Sequence, residues 1–97
     1  MKFITDYNEL GGNQNISLLD HLEKEPIENK EKILDYLKKG KDNGIRCSVI
    51  YDHIKEESLS ETVKLFTDGE YNWDSEEIYH FEKYNLKLNE DFISKFK

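Results

Sequence analysis

The chain is poor in the residues that usually advertise a function. Its 97 residues include one cysteine, one proline and one tryptophan. No apolar run approaches the roughly eighteen residues a membrane span needs. The opening "MKFITDYNEL" lacks the apolar stretch of a signal peptide, so the cytoplasm is the expected location. Cys47 has no second cysteine to bridge to, which excludes an internal disulfide and fits a reducing compartment. There is no glycine-rich phosphate loop. His21, His53 and His80 lie in three separate segments without paired metal-ligand spacing, and Ser58 and Ser60 sit in no nucleophile motif. The sequence therefore offers no catalytic residue, no metal site and no cofactor site, and the chain reads as a non-enzyme.

What is present is charge. Charged residues make up 36% of the chain, as much as the hydrophobic fraction, and aromatics make up 12%. The length fits one domain, 1–97, with a lean core in which each aromatic ring buries a large area. The net charge is −7. Residues 1–50 carry nine acids and eight bases, whereas residues 51–97 carry twelve acids and six bases. An acidic surface repels phosphate backbones, which argues against direct nucleic-acid binding. It attracts a basic protein and accelerates the encounter.

Hydrophobic spacing predicts a mixed architecture. Phe3, Ile4, Tyr7 and Leu10 have helical spacing before Gly11-Gly12. A short helix is expected over Ser17–Glu25, and a third over Ile27–Lys39, where Ile27, Ile33, Leu34 and Leu37 form the stripe and Gly40 a left-handed stop. The period then changes to two. Ile45, Cys47, Val49 and Tyr51 share one face of a strand, which predicts a core position for Cys47. "HIKEESLSE" reads as a loop and "TVKLFT" as a second strand.

The densest cluster of acids is "TDGEYNWDSEE", Thr67–Glu77, with five carboxylates and two aromatics. Asp68-Gly69 signals a two-residue hairpin turn that would set Phe66 opposite Tyr71 and Lys64 opposite Trp73. Asp74 with Glu77 three residues on reads as a capping box, and Trp73 with Ile78 as a hydrophobic staple. A calcium loop starting at Asp68 fails, because Trp73 stands where glycine is needed and Tyr79 where glutamate is needed. Beyond it, Ile78, Phe81 and Tyr84 line a helix, and Asn89 caps a last one bearing Phe92 and Phe96. The fold class expected is α+β: several short helices flanking a small antiparallel sheet of about 45–51, 62–67 and 70–73.

Residues 63–97, "VKLFTDGEYNWDSEEIYHFEKYNLKLNEDFISKFK", and the earlier "ILDYLKKGKDNGIRCSVIYD" resemble a group of small bacterial immunity proteins. These accompany polymorphic or contact-dependent growth-inhibition toxins. The resemblance rests on the aspartate-glycine hairpin, the Tyr-Trp pair, the helix ending "EKYN" and a short final helix, and leaves residues 1–26 outside. It implies binding and neutralisation of a cognate toxin protein, basic and possibly a nuclease. Glu70, Tyr71, Asp74, Glu76 and Glu77 are the first toxin-binding candidates, with aromatic anchors and carboxylates in complementary roles. The alternative is an acidic nucleic-acid mimic that inhibits a nuclease, for example of phage origin.

Overall fold

The computed structural model describes residues 2–97, which form an α+β fold. Strand β1 (Lys2–Phe3) opens the chain, followed by two single 3₁₀ turns at Asn8–Leu10 and Leu18–Asp20. Helix α1 (Lys30–Lys38) precedes two long strands, β2 (Lys41–Asp52) and β3 (Glu57–Thr67), and the short β4 (Tyr71–Asp74). Helices α2 (Ser75–Tyr84) and α3 (Glu90–Ile93) complete it, with a last 3₁₀ turn at Ser94–Phe96. The sheet order is β1-β4-β3-β2. β4, β3 and β2 pair antiparallel as expected, but β1 adds to β4 in parallel and makes the sheet mixed.

The main core lies between the sheet and the helices. Ile33 and Leu37 of α1, Tyr71 and Trp73 of β4, Ile78 and Phe81 of α2, and Phe92 and Phe96 near the C-terminus are all buried in one cluster. Trp73 joins three of these elements. Its Nε1 donates to the Leu37 carbonyl at 3.0 Å, and its ring lies 6.2 Å from that of Phe92. Gly40 makes this possible by close approach, not by a left-handed stop: a Cβ there would lie 2.5 Å from the tryptophan ring. A smaller cluster gathers Tyr7, Leu18 and Leu86, with Tyr7 Oη donating to the Lys87 carbonyl at 2.6 Å.

Several expectations are corrected. The segments 3–10 and 17–25 are not helices. Ile4, Tyr7 and Leu18 are buried as the spacing implied, but in an extended and 3₁₀ path whose partners come from residues 86–89. Ser17 caps its short turn, its hydroxyl accepting from the Leu19 N–H. β3 begins at Glu57, within the stretch expected as a loop, and α1 begins three residues later than expected. The hairpin register is shifted by two: Phe66 pairs with Trp73 and Thr67 with Asn72, while Lys64 pairs with Ile45 of β2. The cause is Asp68, whose Oδ1 accepts the N–H groups of Glu70 and Tyr71 and so takes them out of the ladder.

Cys47 is exposed, not buried. All of 41–49 is exposed, Ile45 at 66% and Val49 at 42%, because β2 is an edge strand reaching past the helices. Its register against β3 shifts three times along its length, an irregularity of the kind that blunts a free sheet edge.

Candidate functional site

The five residues singled out in the sequence do not form one surface. Glu70 is exposed on the hairpin, ion-paired at 3.5 Å with both Lys2 and Lys95. Tyr71 is 2% exposed, with its ring edge-on to Phe92 and its hydroxyl on Asp91 at 3.1 Å. Asp74, Glu76 and Glu77 are buried at 4%, 7% and 7% exposure. An exposed anchor and a free carboxylate are thus not what Tyr71, Asp74, Glu76 and Glu77 present.

Each buried carboxylate has structural work. Asp74 and Glu77 form the expected capping box on α2, and Asp74 also takes Arg46 at 2.9 Å. Glu77 accepts from the Thr5 hydroxyl as well. Burial beside the Asp74 carboxylate raises Glu77 to about 8, and burial likewise raises Asp74. Glu76 accepts the Tyr51 N–H at 2.9 Å and so fastens α2 to β2.

Asp52, which the sequence reading missed, accepts four hydrogen bonds, as many as Asp68 does. It is 1% exposed and accepts from the hydroxyls of Tyr79 and Tyr84 and from the N–H groups of Ile54 and Lys55. Burial opposes its charge, but these bonds outweigh it and hold the carboxyl well below its usual range. The same bonds and burial push Tyr84 up. His80 lies beside them, its Nε2 accepting the His53 N–H at 3.1 Å. Burial lowers its pKa and favours the neutral ring. No local motif signals this network, since its members meet only through the fold. The three histidines hold no metal cluster: no group of three or more potential ligands occurs among the described residues.

Four of the twelve acids of residues 51–97, Asp52, Asp74, Glu76 and Glu77, are thus buried and bonded inside the molecule. Asp68 shows the same pattern. Burial raises it, but bonds from the Tyr36 hydroxyl, the Tyr71 and Glu70 N–H groups and Lys95 hold it well below the usual range. Exposed acids without an ion pair among the described residues include Glu56, Glu57 and Glu61 of the second half, and a further group lies in the segment 20–31. Asp20, Glu23, Glu25, Glu28 and Glu31 are all exposed, and none makes an ion pair among the described residues. Glu23, Glu25 and Glu28 rim a groove of about 190 Å³ whose deeper wall is Ile27, Phe81, Leu88 and Ile93. The lysines lining it, Lys87 and Lys97, both approach Glu90, at 4.0 and 3.9 Å. The lining thus sets four glutamates against two lysines over an apolar floor, a net negative setting that suits a basic, partly apolar segment.

No helix is long and apolar enough to cross a membrane. Comparison with protein-family models, curated proteins and solved structures gives no match to the chain.

Proposed function

We propose that this chain is an immunity protein that acts in the cytoplasm by binding and occluding a cognate, basic toxin domain. The observation that carries the reading is the row of five unpaired carboxylates between Asp20 and Glu31, three of them around an apolar groove. A net negative charge on this segment, five acids against Lys24 and Lys30, steers an oppositely charged partner and fixes its orientation. The resemblance of residues 63–97 to toxin-associated immunity proteins points the same way. In this reading the Thr67–Glu77 stretch builds the scaffold, and the docking surface moves to the segment 20–31.

The test uses the triple variant Glu23→Lys, Glu25→Lys, Glu28→Lys, co-expressed with the product of the neighbouring gene if that gene encodes a toxin domain. A folded variant should associate more slowly, lose most of the parent's salt dependence and protect cells poorly, since steering is screened within about 10 Å at 0.1 M salt. Unchanged kinetics and full protection would place the interface elsewhere. Failure of the parent chain to bind or protect would remove the immunity reading itself.

A further inference from the structure

A second concave feature lies between the N-terminal segment and the sheet face that carries Asn72 and Asp74. It measures about 450 Å³, within the usual size of a small-molecule site. Phe3, Leu10 and Leu65 supply apolar wall, and Thr5, Arg46, Asn72, Asp74 and Glu77 supply polar atoms. The polar atoms divide into two groups. The carboxylates are occupied: Asp74 by Arg46 and the Glu77 N–H, Glu77 by the Asp74 N–H and the Thr5 hydroxyl. Two groups are not. Asn72 Oδ1 is buried without a hydrogen-bond partner, and the side chain of Arg46 uses only Nη2, on Asp74. A buried polar atom left unpaired is costly, so its retention beside a cavity calls for a partner that arrives from outside.

We propose that this cavity binds an aromatic ring bearing a hydroxyl group, as in a tyrosine side chain or a free small phenol. One hydroxyl both donates and accepts, so after a turn of the Asn72 amide it satisfies Asn72 and the spare N–H groups of Arg46 together. An ammonium group meets the positive Arg46, and a carboxylate meets Asp74 and has no proton for Asn72. The ring lies against Phe3, Leu10 and Leu65. This site is separate from the acidic groove and does not depend on the immunity reading.

The experiment titrates the ¹⁵N-labelled protein with p-cresol, with 4-methylanisole and with N-acetyl-tyrosinamide. Saturable shifts are expected at the Asn72 side-chain amide and at Gly11 and Gly12, which line the cavity. The methyl ether, which cannot donate, should bind at least about tenfold more weakly. Asn72→Leu should lose the preference for cresol over the ether while melting no lower than the parent. Equal affinity for cresol and ether, shifts confined to other residues, or no saturable shift at all would overturn the proposal. Binding of N-acetyl-tyrosinamide as tightly as cresol assigns the site to a tyrosine of a polypeptide; binding of cresol alone assigns it to a free phenol.

Discussion

Asp74 and Glu77 hold each other reciprocally. The Asp74 carboxylate accepts the Glu77 N–H at 2.9 Å, and the Glu77 carboxyl accepts the Asp74 N–H at 3.0 Å. The two acids share one dry site at the start of α2, where Arg46 balances only one charge. Glu77 titrates near 8 when folded, against an ordinary value of 4.5. Below 4.5 it is protonated in both states. Between 4.5 and 8 only the unfolded chain gives up its proton, so folding stability from this group falls as pH rises through that window. Thermal melts across it should show a downward slope that Glu77→Gln flattens. Parallel curves for parent and variant would mean that Glu77 is ionised in the native protein.

Removing the other half of the box has a different signature. Asp74→Ala leaves the Glu77 N–H uncapped and Arg46 without its partner, and should cost about 0.5–2 kcal/mol in chemical denaturation. Pairing it with Arg46→Ala in a double-mutant cycle separates the cap from the ion pair. A purely capping role predicts no coupling between the two.

Asp52 should show the opposite pH dependence. Its carboxyl is depressed below the ordinary 3.8, so its stabilisation is present above that pH and is lost as pH falls below it. Asp52→Asn should destabilise the protein by about 1–3 kcal/mol at neutral pH, with the deficit shrinking in acid. A constant deficit down to low pH would show that packing, not charge, is what Asp52 provides.

Gly40 and Cys47 make a contrasting pair. Gly40→Ala must displace the Trp73 ring and should cost about 1–3 kcal/mol, read with a change in tryptophan fluorescence. Cys47→Ser touches an exposed edge residue and should stay within about 0.5 kcal/mol of the parent. Native Cys47 should react with a thiol reagent as fast as the unfolded chain does. Slow labelling would indicate that something covers β2 in solution.

What was legible in the sequence was local. The Asp74–Glu77 box is read correctly because its partners lie three residues apart, and the stripe of α1 because Ile33 and Leu37 point one way. Ile4 and Tyr7 mimic helical spacing, yet the groups they bond to lie eighty or more residues later, at Asn89 and Lys87. Cys47 alternates as a strand residue should, but alternation cannot say which face a helix covers. For the acids the difficulty was similar. Asp52, Asp74, Glu76 and Glu77 count as surface charge in a composition and as buried bonds in the fold, which shifts the candidate docking surface to Asp20–Glu31.

The parallel pairing of β1 with β4 has a bearing on how the chain is made. Asn89 donates its backbone N–H to the Ile4 carbonyl and its side-chain amide to the Phe3 carbonyl, and the Tyr7 hydroxyl reaches the Lys87 carbonyl. During synthesis the segment 3–7 thus leaves the ribosome well before residues 87–89, which it bonds to. Ile4 and Tyr7 wait in solvent while the β3-to-α2 unit, whose contacts are short in sequence, is able to form behind them. Closing a loop of that span is entropically slow, and the waiting segment 3–7 is where a chaperone would bind or a nascent chain would begin to aggregate.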